Sequence, residues 1–107
     1  MVGEHKPTQK MASNAKKGLE LRDKFDRGGT DVGVARAKQI VNGGPMSDDD
    51  VKSMHSYFAR HAVDKRGRYW ADPHKPSAGY IAWLLWGGDP AERWIKRLHD
   101  RLEKANG

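Results

Sequence analysis

Apolar residues recur along this chain at spacings of three and four, and corners at "RGGTD", "NGGPMS" and "WGGDP" cut the pattern into helix-length pieces. Val, Ile and Thr never alternate with polar residues for long, and no repeat or low-complexity block interrupts the sequence. The pattern predicts an all-α, compact single domain of about five helices over residues 8–105, preceded by a flexible N-terminus at residues 1–7. A long loop is expected between helices 3 and 4.

The first helix should run from about Thr8 to Phe25, with Ala12, Ala15 and Leu19 inward, Leu21 and Phe25 on the shoulder, and Lys16, Lys17, Arg22 and Lys24 in solvent. Gly28 and Gly29 stop it. Thr30 reads as the N-cap of a second helix ending near Val41, with Asp31 in its first turn, where the helix dipole favours negative charge. Its inward face is Val34, Ala37 and either Val41 or Ile40. In "SDDDVKSMHSYFARHAVD" a Ser47 N-cap is answered by Asp50 three residues on, and Val51, Met54, His55, Phe58 and Ala62 form one stripe, which puts His55 beside the core.

"DKRGRYWADPHKP", residues 64–76, has a turn at Gly67 and two prolines, so it predicts an ordered loop or short hairpin carrying Tyr69 and Trp70. In "PSAGYIAWLLWGGDPAE" the apolar residues between Ser77 and Gly87 surround the helix axis, the mark of a central helix covered by its neighbours. Asp89, Pro90 and Glu92 then read as N-cap, N1 and N3 of a fifth helix. That helix buries Ala91, Trp94, Ile95, Leu98 and Leu102 and leaves Arg93, Lys96, Arg97, Arg101 and Lys104 opposite.

At 107 residues the chain has length for one modest core, and its lack of cysteine removes disulfides, thiolate metal sites and Cys nucleophiles. The longest apolar run, Ile81 to Trp86, is too short to span a bilayer and the N-terminus lacks a signal-like apolar stretch, so no membrane partner is expected. The formal charge of +6 divides as +3 over residues 1–30, −1 over 31–64 and +4 over 65–107. Basic excess at both ends favours a polyanionic partner, although solubility alone explains such a charge in many small proteins.

The charge is concentrated in two places. Arg93, Arg97 and Arg101 recur every four residues with Lys96 and Lys104 beside them, partly offset by the spacings Glu92 to Lys96 and Asp100 to Lys104. Such a stripe suits phosphate contacts, and a solvated helix face accounts for it equally well. Lys65, Arg66 and Arg68 precede Tyr69 and Trp70, a mixture able to stack an exposed base, while packing of Trp70 on the core is the simpler account.

Other signals are weaker. "RGGT" offers helix N–H groups and Arg27 to an anion, and is also an ordinary helix stop. The portion from Asp31 to Asp64 has the outline of a helix-turn-helix unit, but its second helix would start with three Asp, which repel phosphates. His55 and His61 lie on roughly opposite sides of their helix, and His55 reads as a hydrogen-bonded core histidine. His61, Asp64 and His74 could converge on a metal if the loop folds back, with loop polar contacts as the alternative. No phosphate-binding Gly-Lys-Ser/Thr loop, dinucleotide fingerprint or Gly-x-Ser-x-Gly elbow occurs.

The ordered trio "RGGTDVGVARAK", "MHSYFARHAVDKRGR" and "PSAGYIAWLLWGGD", over about residues 14–90, is similar to a small module of tailed bacteriophages and prophages encoded near head and packaging functions. The resemblance implies a viral context, in the host cytoplasm or the virion. Where such modules carry a Gly-rich acidic insert before "PSAG" and a basic residue after it, this chain has "WADPHK" and Tyr80.

The sequence therefore reads as a small non-enzymatic protein that binds nucleic acid, DNA in the first instance and mainly through backbone phosphates, with neither cofactor nor metal. The expected contacts are Arg93, Lys96, Arg97, Arg101, Lys104, Lys65, Arg66, Arg68 and Trp70. The second reading is a phage structural or assembly protein acting by protein contacts, self-association included. The third is a metal-dependent nuclease using His61, Asp64 and His74.

Overall fold

The computed structural model describes residues 4–106, and they form the expected all-α domain. Helix α1 spans Gln9–Phe25, α2 Asp31–Val41, α3 Asp48–His61, α4 Ala78–Leu85 and α5 Gly88–Asn106; a 3-10 turn at Ala62–Arg66 extends α3 into the long loop. Four helices start where a hydroxyl side chain takes an orphan backbone N–H. Thr8 accepts from Met11 at 3.2 Å, Thr30 from Gly33 at 3.3 Å, Ser47 from Asp50 at 3.1 Å and Ser77 from Tyr80 at 3.0 Å. Each such cap contributes about 1 kcal/mol. At Ser47 the capping box is complete, because Asp50 returns to accept the Ser47 N–H at 2.9 Å.

Helix α4 lies at the centre, with Ile81, Trp83, Leu84 and Leu85 buried. Helix α1 crosses it at Gly18, where an added Cβ would stand 2.8 Å from the Leu85 backbone nitrogen. Helix α3 packs along α5 on one side and sends Tyr57 and Phe58 toward α4. There the Tyr57 ring stacks on Trp86 at 4.3 Å and Phe58 meets Trp83 edge to face at 4.8 Å. The corner from α4 into α5 turns at Gly87, whose φ of 107° lies in the left-handed region that favours glycine.

Several packing details differ from the sequence pattern. Tyr57 is buried and Ala62 is exposed, because α3 faces α4 as well as α5 and tightens into a 3-10 turn at Ala62. Ile40, not Val41, closes the inner face of α2. Asp89 is not the N-cap of α5. The helix begins at Gly88, and the Asp89 carboxylate turns back to accept the Trp83 indole N–H at 2.9 Å and the Lys65 ammonium at 2.6 Å. An indole N–H on a ring only 2% exposed needs an acceptor, and Asp89 is the one within reach.

Helices α2 and α3 do not approach each other closely as backbones; Arg36 joins them through Asp50 at 2.7 Å and Ser53 at 3.4 Å, and Gln39 adds a bond to Asp50 at 3.0 Å. They do not form the packed pair that defines a helix-turn-helix unit. In the segment expected to be flexible, His5 and Met46 exchange two backbone hydrogen bonds of 2.8 Å, and the His5 Nε2 atom lies 2.8 Å from Asp48. Residues 1–3 lie outside the described residues. No described helix is long and apolar enough to cross a membrane.

Candidate nucleic-acid interface

Helix α5 is amphipathic along its length, with Ala91 and Ile95 fully turned to the core. At 100° per residue, Arg93, Lys104, Arg97 and Arg101 fall within an arc of about 80°. All four are exposed, and none forms a salt bridge or side-chain hydrogen bond with another described residue. Lys96 lies on the other flank with Glu92, Asp100 and Glu103, and its ammonium is 4.0 Å from Glu92. The two flanks therefore differ: the acidic residues of the helix collect beside α3, and the arginines face open solvent.

The loop residues separate in the same way. Lys65 is engaged by Asp89 at 2.6 Å and Glu92 at 4.0 Å, with its ammonium 4.7 Å from the centre of the Trp83 ring. Burial pushes the Asp89 carboxyl up, but the hydrogen bonds from Lys65 and Trp83 outweigh it and hold it below the usual range. Lys65 thus anchors the root of the loop to the first turn of α5, one turn before Arg93, and has little charge left for a ligand. Arg66 and Arg68 are exposed.

Trp70 is half-buried and meets Trp83 at 5.8 Å and Tyr80 at 5.2 Å, both at near-perpendicular angles. The ring presented to solvent is its neighbour Tyr69, 45% exposed, with the Arg68 guanidinium 5.9 Å and the Lys75 ammonium 5.8 Å from its centroid. Tyr69 and Lys75 therefore form a basic and aromatic patch with Arg68; of two adjacent aromatics, only the fold decides which is more open. Lys10 was also outside the sequence-based set. It lines a shallow depression between α1 and Pro90 at the head of α5, beside the arginine stripe.

His61, Asp64 and His74 do not converge on a metal site among the described residues. His61 Nδ1 lies 3.0 Å from Asp64, whereas the loop holds His74 by its backbone N–H on Asp72 at 2.8 Å. Among the described residues no group of three His, Cys, Asp or Glu side chains could hold a metal ion. His55 makes no side-chain hydrogen bond to another described residue; its ring stacks on His99 at 3.7 Å, between α3 and α5. Gly28 and Gly29 press their backbone on α4, where an added Cβ would meet Ile81 at 2.6 Å and Leu85 at 2.5 Å, so the "RGGT" glycines serve packing.

Compared with known protein families, with characterised proteins and with solved structures, the chain matches none.

Proposed function

We propose that this protein binds nucleic acid, DNA in the first instance, through the phosphate backbone, using the outer face of α5 and the adjoining loop. The observation that carries this reading is the unpaired exposed arc of Arg93, Arg97, Arg101 and Lys104. Fixed cations on a rigid helix attract phosphates without reading base edges. Consecutive arginines on the stripe rise about 6 Å along the axis, so the stripe would follow one strand and not cross it. Arg66, Arg68 and Tyr69 would widen the contact at the loop, and Lys10 at the head of the helix.

The similarity of the three sequence segments to a phage module favours a role beside viral DNA, in the infected host or the virion, and no catalytic residue enters the reading. A phage assembly role is the second reading. A protein partner would meet the exposed apolar side chains of Val32, 61% exposed, Val63, 58%, and Tyr69, 45%.

Fluorescence anisotropy of labelled duplex and single-stranded DNA against salt tests the proposal, beside the triple variant Arg93→Ala, Arg97→Ala, Arg101→Ala. Each lost duplex phosphate contact should lower the slope of log affinity against log salt by about 0.9, so the triple variant should lose about 2.7. Failure of the wild-type chain to bind at low salt would remove nucleic acid as the partner. A concentration-dependent mass would then point to assembly.

A further inference from the structure

The outer surface of α1 carries a line of polar groups toward the head of α5. At 100° per residue, Lys10, Asn14 and Lys17 fall within an arc of about 60°. Both lysines are exposed, and neither forms a salt bridge with another described residue. Asn14 donates through Nδ2 to the Gly87 carbonyl at 3.0 Å, which fixes its amide at the corner between α4 and α5. The Asn14 Oδ1 atom has no hydrogen-bond partner among the described residues and is open to water.

The shallow depression beside Lys10 continues past Asn14 and Pro90 into a notch of about 210 Å³. Helix α4 lines the notch with Tyr80 and Leu84, the loop supplies Trp70, and the start of α5 supplies Asp89 and Pro90. Trp70 and Tyr80 are half-buried and meet at 5.2 Å with 74° between their planes, while Trp83 stands 5.8 Å from Trp70, so the rings hold one another in place. The volume is under the roughly 300 Å³ at which pockets for drug-sized ligands begin, and it suits one flat ring.

Charge divides between the notch and its rim. Asn14 and Asp89 bring acceptor oxygens to the lining, and the Asp89 carboxylate already takes the Trp83 indole N–H at 2.9 Å and the Lys65 ammonium at 2.6 Å. A carboxylate repels phosphate, whereas acceptor oxygens suit the N–H edge of a base. The rim is cationic. The Lys17 ammonium lies 3.4 Å from the Tyr80 hydroxyl and 5.9 Å from the centre of that ring, and Lys10 lines the adjoining depression. Arg93 stands three residues after Pro90, on the same side of α5.

We propose that this notch takes an unpaired base of a single-stranded nucleic acid against Trp70 and Tyr80, the phosphates on either side of that base being held by Lys10 and Lys17 of α1 and by Arg93 of α5. The inference rests on the phosphate-binding reading of α5 and adds the state of the strand. Every base has a flat face to stack, so the preference is for an open strand and not for a sequence. A duplex offers a base only after losing its pair and its stack, which sets the duplex at a disadvantage. The more open Tyr69 is the poorer platform, because it stands on the loop with the Arg68 and Lys75 cations already near its ring.

The test is fluorescence anisotropy at low salt with three labelled DNA probes of equal length: a mixed-sequence single strand, a single strand of abasic nucleotides with the same phosphates, and a duplex. The base-bearing single strand should bind about tenfold more tightly than the abasic one, and more tightly than the duplex. Equal binding of both single strands with a steep salt slope overturns the notch and leaves phosphate binding by α5 standing, as does tighter binding of the duplex. Binding of none of the three overturns both. Tyr80→Leu keeps an apolar side chain beside Trp70 and should cut the ratio between the two single strands at least about threefold, whereas Tyr69→Ala should leave it unchanged. The reverse result places the base on the loop and overturns the notch. The wild-type chain gives a reading free of any folding defect: in NMR titrations the Trp70 indole N–H should shift saturably with the base-bearing strand and far less with the abasic one, and a silent Trp70 overturns the proposal.

Discussion

Two aspartates show how single residues hold this molecule together. Burial pushes the Asp50 carboxyl up, but Arg36, the Ser47 N–H and Gln39 outweigh it and hold it down at about 2. The unfolded carboxyl titrates near 3.8, so the stabilisation is fully present above that pH and is lost as pH falls through 3.8 toward 2. It amounts to roughly 2 kcal/mol, and Asp50→Asn should remove that part of the acid dependence in urea titrations at pH 2.5 and 6. Asp89 acts on the Trp83 indole. Asp89→Ala removes the acceptor of the Trp83 indole N–H and the Lys65 ammonium and should cost about 1 kcal/mol in denaturant melts, because the half-exposed position admits water, whereas Asp89→Asn keeps an acceptor and should cost less. The Ser47–Asp50 box was legible in the sequence because its partners are three residues apart. The Arg36 and Trp83 contacts were not, because the same local pattern permits many partners. "DPAE" marked the start of α5 to within one residue, but a tertiary demand on the Asp89 carboxylate overrode its capping role.

At the scale of elements, the helices were readable because their caps, dipole charges and apolar spacings are local. Their faces were readable only where one neighbour covers them. Helix α5 has a single inner face, and the sequence assigned it correctly; α3 has two, and the stripe drawn through Ala62 missed Tyr57. Gly18 lies inside a helix, where alanine would gain about 1 kcal/mol from propensity alone. Its Cβ would nevertheless stand 2.8 Å from a backbone atom of α4 that cannot rotate away. Sterics should win: Gly18→Ala is expected to lower the thermal midpoint, and Gly18→Val to lower it further, both measured by circular dichroism. A higher midpoint in Gly18→Ala would mean that α1 can slide along α4 at no cost.

Across the whole molecule, α3 and α5 are joined by the stacked rings of His55 and His99, with interplanar angle 6°. Burial lowers the His55 pKa first, and the neighbouring His99 and Lys96 lower it further against Asp100 and Glu103, which raise it. A histidine held neutral by the fold stabilises it fully above its unfolded value of 6.5, and that contribution fades as pH falls through 6.5 toward the lowered folded value. The midpoint of thermal unfolding should therefore decline on acidification below about 6.5, and His55→Phe should flatten that part of the profile. An unchanged profile in the variant would assign the pH dependence to other groups.

The sequence by itself determined the class, the number and limits of the helices, the central place of α4 and the presence of an arginine face on α5. Each depends on spacings of a few residues, where backbone geometry leaves little freedom. Tertiary structure alone decided which cations have no partner among the described residues, that Tyr69 is more open to solvent than Trp70, and that Lys10 lies at the head of α5. Those outcomes depend on residues far apart in the chain, whose meeting is fixed by how the helices pack and not by any local pattern.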